Sequence, residues 1–206
     1  MWPSWILGHL AQQTHHHHAS ADGDRLAIMV RASDERYRAF LGQIYPFESA
    51  IEASCVATDG LDSRIRRTHL KASRLASDLD ALGLATTELA PFDPPRFDGP
   101  AEALAWLWVL HRNTLLHGLI SRYLAGKLPE VMRRAGSYLS VFEGRAGALM
   151  RELGDAIERV ARRASIVERI VEVANEAFRA QRQWYRSNVL PERPRTPGSI
   201  APPKAA

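Results

Sequence analysis

The residues of this chain most ready for chemistry are four consecutive histidines, His15 to His18. An imidazole ligates transition metals through either ring nitrogen. Successive helical residues point about 100° apart, so four in a row cannot serve one ion, although His15 and His18 can share a face. A longer spacing is more informative. Thr14, His18 and Asp22 stand at i, i+4 and i+8, each about 40° from the last around a helix, and so stack on one side. A histidine so placed, on a helix anchored by Ile6, Leu7 and Leu10, offers a nitrogen to a metal.

The elements that must position these residues are helical nearly throughout. Apolar residues recur near a 3.6 period, and alternating strand-like runs are missing. A first helix is expected from Trp5 to His18, bending at Ala21-Asp22-Gly23-Asp24 on its way to Val30. Ser33 reads as an N-cap for a second helix carrying Tyr37, Phe40, Leu41, Ile44 and Phe47, kinked or broken at Pro46, with Ile51 and Cys55 continuing its face. A third runs from Asp62 to Leu82 and stops at Gly83. Pro91, Pro94, Pro95 and Pro100 mark a connection. Ala101 to Leu128 follows, apolar on almost all sides in its first half, as only a central helix can be. Two more helices are expected near Tyr138–Arg163 and Ser165–Asn188, the last opened by a Ser165–Glu168 capping box and lined by Val167, Ile170, Val171, Ala174, Phe178 and Gln181. The reading is an all-α, single-domain bundle of about six to eight helices over residues 1–189, with a Pro-rich tail over 190–206.

Composition agrees. The 206 residues are 46% hydrophobic and 24% charged, enough to bury a core without staples. The longest apolar run, Ala103 to Leu110, has eight residues, against about 20 for a membrane span. The single Cys55 excludes an internal disulfide and a multi-cysteine metal site. The start lacks a basic n-region and a long apolar segment, which makes the cytoplasm the expected location. The net charge of +4 is spread among acids without a like-charge run, so nucleic acid is not the expected partner. The basic cluster Arg64, Arg66, Arg67 and Lys71 reads as a solvated helix face.

Leu10-x3-Thr14-x3-His18-x3-Asp22 resembles the proximal-helix motif of the heme oxygenases, whose histidine is the axial ligand of heme iron. The likeness continues in order. Tyr37 to Glu48 looks like the second helix of the bacterial enzymes, Asp78 to Gly83 like the end of the third, Trp106 to Leu110 like the start of the distal helix, and Ala174 to Phe178 like the final long helix. The resemblance covers residues 8 to 187. It implies the heme oxygenase fold, with heme as substrate and cofactor and His18 on its iron. It also implies oxidative cleavage to biliverdin, CO and iron, using O2 and electrons from a ferredoxin, a flavin reductase or an ascorbate-like reductant.

The distal helix departs from the family pattern. Where the family has Gly-Asp/Ser-x-x-Gly-Gly, the glycines fall on Arg112, Leu116 and His117, and the polar position falls on Asn113. Only Asn113 is left for the distal polar role. His111 or His117 would be a second axial ligand if heme were bound on both faces, which closes the oxygen site. The early basic position that meets a heme propionate is Ala11, leaving Arg145 and Arg151 as candidates. Two other chemistries on similar folds lack their residues. No Glu-x-x-His suits a di-iron site, and Cys55, between Ser54 and Val56, has no sequence-adjacent histidine to activate it. Gly-x-Ser-x-Gly and Gly-x4-Gly-Lys are also missing. Two functions remain: a biliverdin-producing heme oxygenase, or a non-catalytic heme-, tetrapyrrole- or partner-binding protein on the same fold.

Overall fold

The computed structural model describes residues 4–188. The expected tail over 190–206 lies outside them. The described residues form α1 (Trp5–Gln13), α2 (His15–Leu26), α3 (Asp34–Ala57), α4 (Ser63–Thr68), α5 (Ala72–Ala81), α6 (Pro100–Asn113), α7 (His117–Lys127), α8 (Pro129–Ala135), α9 (Ser137–Ser140), α10 (Ala146–Val160) and α11 (Ala164–Ser187), with short 3-10 turns between some of them. No strand occurs among the described residues.

The centre is α6. Every residue from Ala103 to Leu110 is at most 2% exposed, which is what an all-round apolar helix requires. One apolar cluster joins α6 to α1, α10, α11 and the second half of α3 through Leu7, Phe47, Ile51, Leu153 and Phe178. The other joins the first half of α3 to α5, α7, α8 and α9 through Tyr37, Leu41, Leu75, Leu79 and Leu124. The helix α3 therefore serves both cores. Each fully buried Leu or Phe contributes about 1.5–3 kcal/mol.

Local chemistry explains where the expected helices start and stop. Ser33 caps α3, its Oγ accepting from the Arg36 N–H at 3.2 Å. The helix continues through Pro46, which removes one ladder donor without ending it. Gly83 stops α5 at a φ of 68°, a left-handed position suited to glycine. The first helix breaks at Thr14, not at Gly23, which lies inside α2. Thr14 leaves helical geometry at φ −114°, ψ 5°, while its hydroxyl donates to the Leu10 carbonyl at 2.7 Å.

The expected Asp62–Leu82 helix is two. Glu52 of α3 accepts the Lys71 and Ala72 N–H groups at 2.8 and 2.9 Å. It thereby satisfies the start of α5 from another helix. The expected Ala101–Leu128 helix is divided by a 3-10 turn at Thr114–Leu116, and α8 was not foreseen. Residues 141–145 interrupt the expected Tyr138–Arg163 helix with a turn containing Gly144 at φ 69°. Finally, α11 has Arg163 at its N-cap without a side-chain cap. The Ser165–Glu168 capping box is therefore a correction: Ser165 already lies in the first turn.

The helices α1 and α10 cross closely at Gly154. A Cβ there would stand 2.7 Å from Leu7 Cδ1 and 3.1 Å from Ser4 Cβ, and Leu7 is fully buried. Gly154→Ala is expected to cost about 1–3 kcal/mol by overpacking. Urea unfolding checks this, and a variant as stable as the parent would show that the crossing is loose.

Candidate functional site

The Thr14, His18 and Asp22 side chains lie along one line, as their spacing predicts, but each is already engaged. The Thr14 hydroxyl gives its proton to Leu10, so it accepts from His18 Nε2–H at 3.0 Å. That nitrogen therefore carries a proton rather than a free lone pair. The His18 ring centroid is 6.4 Å from that of Trp108 and 5.6 Å from that of Phe178, ordinary contact distances for aromatic rings. Burial and the Arg112 charge lower the His18 pKa to about 4. Asp22 receives both Nη1 and Nη2 of Arg112, at 2.7 and 3.0 Å. This bidentate pair ties α6 to α2 directly across the face that carries His18.

The other side chains on the distal segment turn elsewhere. Asn113 is 1% exposed and donates its amide N–H to Gln181 Oε1 of α11 at 2.8 Å. His111 donates from Nε2 to the Ala146 carbonyl at 3.3 Å, its ring between those of His69 and Phe142. The His117 ring packs on Tyr138 at 4.6 Å. None of the three is brought to His18. Arg145 and Arg151 are exposed on and just before the first turns of α10, which packs on α6, α1 and α4. His15 and His16 are exposed, and His17 stacks on Phe178 at 5.3 Å. Among the described residues no group of three or more His, Cys, Asp or Glu is placed to hold a metal ion. Cys55 is buried against the Ala103 carbonyl at 3.7 Å, and burial raises its pKa, so it is a packing thiol.

A flat macrocycle ligated by His18 meets three obstacles here. Nε2 is hydrogen-bonded to Thr14, the Trp108 and Phe178 rings stand beside the half-buried imidazole, and the Arg112–Asp22 pair bridges α6 and α2. The residues present do not fit heme in this slot.

Sequence reasoning missed a buried ionic network. Glu48, fully buried, accepts from Arg25 Nη2 at 2.6 Å and from the Tyr138 hydroxyl at 2.9 Å on Oε1, with Lys71 Nζ at 2.9 Å from Oε2. Arg25 Nη1 also donates to the Tyr138 hydroxyl at 3.0 Å. Lys71 is 2% exposed, which corrects its reading as part of a solvated basic face, whereas Arg64 is exposed and paired with Glu152. A signal was present in the sequence. Glu48 interrupts the buried stripe Ile44–Glu48–Ile51–Cys55, and Arg25 lies between Ala21 and Ile28 on another.

Removing one partner of such a network strands the opposite charges in a dry interior. Glu48→Gln is expected to cost about 3–5 kcal/mol in urea unfolding, and a loss well under 1 kcal/mol would show that the network is dispensable. The acid limb of stability follows from the same groups. Burial lowers His69 to about 4 and His111 to about 3, from 6.5. Arg25 and Lys71 outweigh burial and hold Glu48 at about 2, from 4.5. All three folded-state values lie below the unfolded ones. Their stabilisation is therefore complete above the unfolded pKa and is lost as pH falls towards the folded one. The melting temperature should decline first between pH 6.5 and 4 and then again below 4.5. A flat profile from pH 7 to about 4 would contradict this assignment.

Comparison with known proteins places the whole helical unit. No curated protein matches the chain. The family model described as heme oxygenase matches residues 6–187. No described helix is long and apolar enough to cross a membrane. With the match spanning α1 to α11 and the all-helical fold, this chain belongs to the heme oxygenase family.

Proposed function

We propose that this chain is a non-cleaving member of the heme oxygenase family, a binding protein that keeps the scaffold and has closed the slot for heme. The observation that carries this reading is the Arg112–Asp22 pair. A side chain as long as arginine stands where the family has a bare backbone position, and it reaches across to the helix that carries His18. The committed Nε2 of His18 and the turning of Asn113 towards Gln181 support the same reading. An amide bonded inside the bundle is not free to organise water beside His18.

The second reading is a heme oxygenase that turns heme into biliverdin, CO and iron with O2 and an external reductant. One observation favours it: Thr14, His18 and Asp22 keep their shared face, and His18 is neutral near pH 7, as an axial ligand must be. On that reading Thr14 would orient the ring, and Arg112 would have to leave Asp22 before heme could enter.

A hemin titration separates the two, comparing the parent with His18→Ala and with Arg112→Gly. The parent is expected to give no His18-dependent Soret band at one equivalent and no biliverdin absorption after ascorbate. Arg112→Gly, which opens the slot, should gain hemin affinity by about tenfold or more, the equivalent of one charge-assisted pair. A parent Soret band that requires His18 and decays to biliverdin would overturn the non-cleaving reading and establish the enzyme.

A further inference from the structure

Away from the His18 face, α7, α8 and α9 line a cavity of about 540 Å³, within the range of about 300–1,000 Å³ that small-molecule sites occupy. Its polar side chains are Ser121 from α7, Arg133 and Arg134 from α8, and Ser137 and Ser140 from α9, with Met132 as an apolar wall. No carboxylate lines it. Two guanidiniums therefore border one space that holds no opposing charge of its own.

Both cations are available to a ligand. Arg134 makes no side-chain hydrogen bond or ion pair among the described residues. Arg133 is paired with Glu130, which lies outside the cavity, and the two side chains are 75% and 78% exposed. An ion pair so exposed is weak, so a dianion can take Arg133 from it. The serine hydroxyls differ in what their protons do. Ser137 Oγ donates to Asp78 Oδ1 at 2.6 Å, and Ser140 Oγ donates to the Gly136 carbonyl at 3.0 Å. A hydroxyl has one proton and two lone pairs, so both of these oxygens are left as acceptors. Ser121 Oγ has no hydrogen-bond partner among the described residues and keeps both roles. The start of α9, which carries the acceptors, is held in place: buried Asp78 also accepts the Ser137 and Tyr138 N–H groups at 3.1 and 2.8 Å. The lining thus calls for two kinds of group in one ligand. The guanidiniums match a phosphate, and the spent serine oxygens match hydroxyl donors. Inorganic phosphate answers mainly the first.

We propose that this cavity binds a small phosphorylated polyol, with its phosphate on Arg133 and Arg134 and its hydroxyls on Ser137 and Ser140. The site shares no residue with the His18 face, so it stands whichever reading of that face holds.

Calorimetric titration of the full chain at constant ionic strength tests this with ribose 5-phosphate, ribose and inorganic phosphate. Ribose 5-phosphate is expected to bind saturably, more tightly than inorganic phosphate, and ribose is expected not to bind. Arg134→Ala should weaken ribose 5-phosphate by about tenfold or more, the effect of losing a hydrogen bond to a charged group. Ser140→Ala, which removes one acceptor, should weaken it by about threefold or more and leave inorganic phosphate unchanged. Arg122→Ala, next to Ser121 in sequence but outside the lining, should change neither. No saturable binding, equal affinity for ribose 5-phosphate and inorganic phosphate, or a loss shared equally by Arg122→Ala and Arg134→Ala would overturn the site and leave a solvated basic surface.

Discussion

A carboxylate with no solvent exposure is tolerated only when cations and hydrogen-bond donors converge on it. Glu48 of α3 meets that condition because three other elements deliver its partners: Arg25 from α2, Lys71 from the start of α5 and Tyr138 from α9. Two of those elements, α5 and α9, are in turn placed by a carboxylate from another helix. Glu52 caps the start of α5, and Asp78 of α5 accepts the Ser137 and Tyr138 N–H groups at 3.1 and 2.8 Å to fix α9. The apolar clusters supply most of the stabilisation, and the charged centre adds directional contacts that join α2, α3, α5 and α9.

The same reasoning bears on the His18 face. A slot between two helices stays open only if the residues lining it are too small or too short to meet. Arg112 is neither, and Asp22 gives it a bidentate partner. Desolvation and the guanidinium together keep His18 neutral, while its Nε2–H is held by Thr14. Thr14, His18 and Asp22 keep their shared face, and on that face Arg112 of α6 is paired with Asp22.

Much of the fold was legible in the residues. The central helix was readable because eight successive apolar residues have no alternative to burial, and the last helix because Ile170, Ala174, Phe178 and Gln181 keep one face. The N-cap at Ser33 and the stop at Gly83 were readable because each depends on its own residue's chemistry. The break before α5 was not, because the group that causes it, Glu52, lies about twenty residues away in sequence. The break at Thr14 was missed for a different reason: a threonine hydroxyl bonded back to the chain is a subtler signal than a glycine, and Gly23 drew the bend to itself.

The sequence by itself determined the all-helical class, the burial of α6, the shared face of Thr14, His18 and Asp22, and the family. These depend on periodicity and on residues close along the chain. Tertiary structure alone decided that Arg112 reaches Asp22, that Asn113 turns to Gln181 rather than towards His18, and that Lys71 is buried on Glu48 instead of solvated. The direction and burial of a long polar side chain depend on which oppositely charged group another helix brings within about 3 Å, and that pairing is absent from local spacing.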